Sequence, residues 1–155
     1  MKTYIRSIEI PVKLEEAWNF FSSPSNLQRI TPKHMGFEII SDAHNEKMYP
    51  GMIITYKVKP LLGIPLTWVT EITQVMEHFY FIDNQKAGPY KFWHHQHFFR
   101  KTDKGVEMTD IVNYAAPYGV IGRIMESIII EKKVKEIFDY RENVILELFT
   151  GKSKK

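Results

Sequence analysis

The stretch Phe79–Arg100, FYFIDNQKAGPYKFWHHQHFFR, decides the fold. It reads as two strands joined at Gly88-Pro89, since glycine and proline punctuate two runs rich in aromatic residues. The second run carries Trp93, His95, His97 and Phe99 at alternate positions, and residues two apart on a strand share a face. Two imidazoles therefore lie between two large aromatics, with His94 and Gln96 on the opposite face. Ring nitrogens embedded in apolar surface read as the lining of a pocket.

The next segment fixes the register of that face. Thr102-Asp103-Lys104-Gly105 is a tight turn before a strand over Val106–Ala115. A two-residue turn at Asp103-Lys104 sets Trp93 opposite Tyr114, His95 opposite Val112, His97 opposite Asp110 and Phe99 opposite Met108. Apolar, aromatic and polar sets then match, which favours this register over a slipped one. A three-residue loop with Gly105 as a bulge would spoil the pairing. In the first register the Cβ atoms of His97 and Asp110 are about 5 Å apart. A carboxylate there fixes the imidazole tautomer and raises its pKa. The pair is either a general acid/base, a means of orienting a ligand carbonyl, or a satisfied buried polar pair.

Upstream, Tyr4–Ile10 is a β-branched first strand. Leu14, Ala17, Trp18 and Phe21 follow at i, i+3, i+4 and i+7, the spacing of a short amphipathic helix. Ser23-Pro24 starts a second short helix, with Leu27 and Ile30 on one side, that ends before Thr31-Pro32. Strands are then expected at Phe37–Ser41, at Met52–Val58 and at Leu66–Val75. Tyr56 lies in the second of these, and the third turns Trp68, Thr70 and Ile72 to one side. Asp83 lies on the strand before the histidines, on a face expected to point inward.

The C-terminal part is helical in two phases. Ile121, Ile124, Met125 and Ile128 share one face, whereas Ile130, Val134, Ile137, Phe138, Val144, Ile145 and Leu148 share nearly the opposite one. A break is expected near Ile128–Glu131, followed by about 20 helical residues, about 30 Å. Arg141 falls inside the second apolar stripe. A bare buried guanidinium costs several kcal/mol, so Arg141 either bridges to Asp83 or Asp110 or receives a ligand's anionic group.

A strand, two short helices, six strands and a long helix make an α+β pattern. About seven strands would form a curved antiparallel sheet wrapped around the C-terminal helix. Residues 1–150 are expected to be a single domain and residues 151–155 a basic tail. If each strand reverses direction, the connections at 60–65, 86–90 and 116–120 emerge together. Leu61, Leu62, Ile64, Pro89, Tyr90, Pro117 and Tyr118 would then form an apolar rim at the cavity mouth, or simply pack together.

The segments FIDNQKAGPYKFWHHQHFF, MTDIVNYAAP and IFDYR resemble the START-like (SRPBCC) helix-grip superfamily, and within it the bacterial polyketide cyclase/dehydrase-like, ligand-binding branch. The likeness runs from Ile8 to Arg141. It implies a cavity between sheet and long helix that holds an apolar small molecule. Relatives of this kind bind sterols, lipids, quinones or hormones, or cyclise or hydrolyse polyketides.

Composition bounds the function. With 44% hydrophobic and 14% aromatic residues the chain has the material for a core. The net charge of +3 owes much to Lys152, Lys154 and Lys155, so nucleic-acid binding has little electrostatic support. There is no cysteine, hence no disulfide, thiolate nucleophile or thiolate metal site. No run reaches the roughly 20 apolar residues that span a bilayer, and a cytoplasmic protein without stable membrane insertion is expected. The spacing of His95 and His97 suits metal ligation with Asp110 available as a third ligand, but a strand His-x-His pair without further ligand spacing is a weak signal, and the resembling branch implies no metal. No metal or other cofactor is expected.

The expected function is binding of a small, largely apolar molecule with one polar or acidic end. Its candidate contacts are Trp93, His95, His97, Phe99 and Asp110, joined by Tyr56, Trp68, Asp83, Tyr114 and Arg141. The alternative is a cyclase, dehydratase or isomerase with His97 and Asp110 as catalytic acid/base. A lipid or quinone carrier is the third.

Overall fold

The computed structural model describes residues 1–42, 47–59, 64–117 and 129–151. In chain order these form strand β1 (Lys2–Ile10), helices α1 (Leu14–Phe21) and α2 (Pro24–Leu27), and a 3₁₀ turn (Lys33–Met35). Strands β2 (Glu38–Ile39), β3 (Ile53–Val58), β4 (Leu66–Met76), β5 (Tyr80–Ala87), β6 (Phe92–Thr102) and β7 (Gly105–Ala115) follow. The 20-residue helix α3 (Glu131–Thr150) comes last.

The strands form one antiparallel sheet in the order β1-β7-β6-β5-β4-β3-β2. Consecutive hairpins run from β2 to β7, and β1 adds beside β7. Register shifts in the β4–β5 pair leave Lys86 and Thr73 without a direct partner; such bulges bend the strand that carries them and increase its twist. The sheet curves around α3. β2 is only two residues long, shorter than the expected Phe37–Ser41, and α2 ends at Leu27 rather than near Ile30.

The β6–β7 register is the one that a two-residue turn dictates: Thr102 pairs with Gly105, His97 with Asp110 and Trp93 with Tyr114. Gly105 has φ 144°, and a Cβ there would come within 2.2 Å of the Ile10 carbonyl oxygen. Glycine thus lets the turn close against β1. Along β7, Val106, Met108, Asp110, Val112 and Tyr114 are all buried, the period-2 alternation of a sheet with one packed face.

The inward face divides into neighbouring clusters. α1 packs Trp18 and Phe21 against Ile8, Ile10, Phe81, Phe99 and Met108. Phe37, just before β2, forms a second group with Ile54 and Tyr56 of β3 and Trp68 of β4. Val134 and Phe138 of α3 cover Val112 and Tyr114. Arg6 of β1 binds Glu142 and lies 3.2 Å from Asp139, fixing α3 along the sheet edge. No helix of the described residues is long and apolar enough to cross a membrane.

The expected second apolar phase of the C-terminal helix is α3 itself, its inward stripe being Val134, Phe138, Arg141 and Ile145. The first phase, Ile121–Ile128, lies outside the described residues, as do Leu61, Leu62 and Tyr118 of the expected rim. Of the remaining rim residues, Ile64 is exposed and Tyr90 turns inward to the cavity.

Candidate ligand cavity and its His–Asp quartet

Sheet and α3 enclose a cavity of about 130 Å³. Its sheet wall includes Tyr56, Trp68, Asp83, Trp93, His95 and His97, and its helix wall Val134, Phe138 and Arg141. Seven of the ten expected contacts therefore reach it. The other three do not. Phe99 shares the inward face, but α1 covers its stretch of β6, and its ring sits 5.4 Å from Trp18 and 5.7 Å from Phe21. Tyr114 is 1% exposed and lies behind the wall, its ring 6.3 Å from Tyr90 and 6.2 Å from Trp93. Asp110 is sealed behind the imidazoles.

Asp83, His95, His97 and Asp110 form a compact array. Asp83 pairs across strands with His95, and His97 with Asp110. The aligned hydrogen bonds nevertheless run diagonally. His95 Nε2 is 2.9 Å from Asp110 Oδ1, and His97 Nε2 is 2.9 Å from Asp83 Oδ2. Diagonal neighbours on one face are within reach of long side chains. His97 Nδ1 also approaches Asp110 Oδ1 to 2.8 Å, but without the alignment of a hydrogen bond. The expected His97–Asp110 dyad is thus half of a quartet, and His97's aligned bond goes to Asp83.

The two histidines titrate in opposite directions. Burial disfavours the His97 cation, but the Asp110 carboxylate beside its Nδ1 and the hydrogen bond to Asp83 outweigh it and raise the His97 pKa. For His95, burial and the neighbouring His97 charge outweigh the bond to Asp110, and its pKa falls. Burial would raise the Asp110 carboxyl, yet the bond from His95 and the adjacent His97 ring hold it well below the usual range. Asp83 is lowered too, against burial, by His95, His97 and Arg141. These directions keep both carboxylates ionised and place the pair's proton on His97 rather than on His95. An ionised Asp110 only accepts, so neutral His95 donates from Nε2.

Arg141 is 8% exposed. Its guanidinium carbon lies 5.0 Å from the Phe138 ring centroid, a cation–π distance. The expected bridge to Asp83 or Asp110 is not formed. Among the described residues no carboxylate makes an ion pair with Arg141, and its Nε has no hydrogen-bond partner. Arg141 therefore brings a positive charge to the cavity wall that acts on Asp83 through space and not through a direct ion pair.

Tyr56 is anchored to Thr70 through their hydroxyls at 2.9 Å, and burial pushes its pKa up, so it stays neutral. Its ring stacks 5.9 Å from Trp68. Tyr90, placed by the sequence only at the rim, is a wall residue. Gln85 accepts from the Tyr90 amide and donates to its carbonyl, which turns the ring against Trp93 at 4.8 Å. A glutamine five residues before a tyrosine carried no signal for that latch.

Asp83, His95 and His97 offer one ligand atom each within 4.8 Å of one another. Two imidazoles and a carboxylate can hold a divalent transition ion. Such an ion would have to displace the His97–Asp83 hydrogen bond.

The architecture is that of the helix-grip fold, a curved antiparallel sheet around a long C-terminal helix. Solved structures share it. Protein Ms6760 from Mycobacterium smegmatis superposes with a TM-score of 0.70 at 20% identity, over 96% of this chain and 91% of that one. NE0264 from Nitrosomonas europaea gives 0.65 at 14% identity over 97% of both chains. Ara h 8.0201 gives 0.62 at 14% identity, over 94% of this chain and 98% of its own. At such identities the likeness establishes fold. No protein-family model and no curated protein matches the chain.

Proposed function

We propose that the protein binds a small, largely apolar molecule carrying an acidic group, in the cavity between sheet and α3. The observation that carries this reading is Arg141, a buried cation on a largely apolar wall whose Nε has no hydrogen-bond partner among the described residues. A ligand carboxylate or enolate would complete it, and charge-assisted hydrogen bonds are the strong ones. The volume favours a compact molecule over a lipid or quinone tail, since an apolar cavity of about 150 Å³ accommodates a single benzene-sized guest. That argues against the carrier reading.

Calorimetric titration with 4-ethylbenzoate and 4-ethylbenzyl alcohol tests the proposal. A hydrogen bond to a charged group contributes about 1.5–3 kcal/mol, so the carboxylate should bind at least about tenfold tighter. Arg141→Met should remove that preference and leave the alcohol unaffected. Equal affinities in the wild type, or an unchanged preference in the variant, refute it.

A second reading has one observation in its favour. Two adjacent histidines pushed in opposite directions are the arrangement that separates acid from base. A cyclase, dehydratase or isomerase, in keeping with the resemblance to the polyketide cyclase/dehydrase-like branch, would use a cationic His97 as acid and neutral His95 as base. Once a substrate is found, His97→Gln should then slow turnover by about 10²–10⁴-fold with little change in binding. A mere loss of affinity would exclude it.

A further inference from the structure

Four buried side-chain atoms have no hydrogen-bond partner among the described residues: Ser22 Oγ, Trp68 Nε1, His97 Nδ1 and Arg141 Nε. Three of the four belong to residues that line the cavity. His97 Nδ1 has Asp110 beside it at 2.8 Å. Among the described residues neither Trp68 Nε1 nor Arg141 Nε has a hydrogen-bond or ion-pair partner of that kind. Buried polar groups in folded proteins are almost always paired, so two orphan donors in one cavity are evidence about what enters it.

The two donors belong to residues on different walls of the cavity. Trp68 belongs to β4 in the sheet, and Arg141 to α3 across the cavity. Trp68 is 7% exposed. Its ring meets Tyr56 at 5.9 Å and Trp93 at 5.3 Å, and Trp93 meets His95 at 6.1 Å. Two ring contacts thus connect the indole to the histidine array. Tyr56 and Thr70 satisfy each other and leave the indole N–H as the unpaired donor of that wall. An indole N–H only donates, so its complement is an acceptor: a carbonyl, ether or phenolic oxygen.

Resting on the reading that Arg141 receives an acidic group, we infer that the ligand is a compact aromatic acid with a second oxygen at its far end, which accepts from Trp68 Nε1. The class is an aryl carboxylate, or a comparably acidic phenol, bearing a keto, ether or hydroxyl oxygen across the ring. The aromatic wall stacks on the ring, Arg141 meets the acid and Trp68 reads the distal oxygen. A site with a buried donor rejects an analogue that lacks the matching acceptor, because the donor is then covered and left unpaired.

The test compares 4-acetylbenzoate with 4-ethylbenzoate, nearly equal in shape but differing in the acceptor. Binding is measured by calorimetry on the full chain, wild type, Trp68→Phe and Arg141→Met. The acetyl compound should bind about 2- to 13-fold tighter, the range of one net hydrogen bond, and Trp68→Phe should abolish the difference. In ¹⁵N-labelled wild type the Trp68 indole N–H resonance should move downfield with the acetyl compound and not with the ethyl one, a readout that needs no variant to fold. If both compounds bind equally and depend on Arg141, the distal-oxygen inference is overturned while the acid reading stands. If neither benzoate binds, or binding is indifferent to Arg141→Met, both are overturned.

Discussion

The opposed titrations of His95 and His97 make folding stability peak near the pKa of an unfolded histidine, about 6.5. His97 has a raised folded pKa, so its contribution is full below the unfolded value and is lost as pH rises through the folded one. His95 has a lowered folded pKa, so the unfolded chain takes up its proton first as pH falls below 6.5, and stability drops there. Below 6.5 the unfolded state holds one more proton on the pair than the native state; above it, one fewer. Each excess proton gives a slope of up to about 1.4 kcal/mol per pH unit, rising with pH on the acid side and falling on the alkaline side. For a chain of this length 1 kcal/mol is about 2–4 °C in Tm. Urea unfolding at half-unit steps from pH 5 to 8.5 would trace the peak, and the difference between wild type and His97→Gln isolates its alkaline limb. Asp110→Asn should shrink that limb too, since it removes one of the two carboxylates that raise His97. A wild-type-minus-His97→Gln difference that is flat above pH 6.5, or that grows with pH, would refute the charge assignment of the quartet.

Arg141→Met should raise stability by about 1–3 kcal/mol in urea unfolding, because an apolar side chain of similar length removes a buried charge that has no carboxylate partner; a loss of that size would mean a structural bridge exists. Phe99→Ala should cost about 3–5 kcal/mol, since its ring packs among Trp18, Phe21 and Phe81, and leave the affinity for 4-ethylbenzoate unchanged in the folded protein. A weakened affinity would restore Phe99 to the cavity wall.

Strand content, the β6–β7 register and the length of α3 were legible because each depends on local chemistry. A two-residue turn fixes cross-strand partners over the whole hairpin, which is how Asp103-Lys104 could place Asp110 beside His97 from thirteen residues away. The pattern of inward positions was equally readable, since period 2 on a half-buried sheet admits only two assignments. What lies over each position was not. Trp93, His95, His97 and Phe99 share one face of one strand, yet α1 turns the Phe99 end into core while α3 stands off from the Trp93 end and leaves space. The sequence specifies the face, and packing between distant elements divides it. The same limit explains the β5 partner of His97: Asp83 was expected inward, but the diagonal bond depends on a β5–β6 register that no tight turn dictates.

Arg141 is where local consistency fails, and the failure is informative. Its position continues the stripe Val134, Phe138 and Ile145, where any apolar residue would satisfy the helix and the sheet. Sequences normally agree with their fold at every level and break that agreement at sites of function. A salt bridge would have made Arg141 a structural device, and the described residues do not supply one. With His97 cationic and Asp83 and Asp110 ionised, His95 neutral and Arg141 charged, the cavity wall is close to electroneutral when empty. An anionic ligand would tip that balance and favour a second proton at His95, whose neighbours Asp83 and Asp110 already raise its basicity against the effects of burial and His97. Binding of 4-ethylbenzoate should therefore be accompanied by net proton uptake at pH 7. Calorimetry in buffers of different ionisation enthalpy measures it directly. Proton release on binding would contradict this account of the array, because it would require the ligand to displace a cation rather than join one.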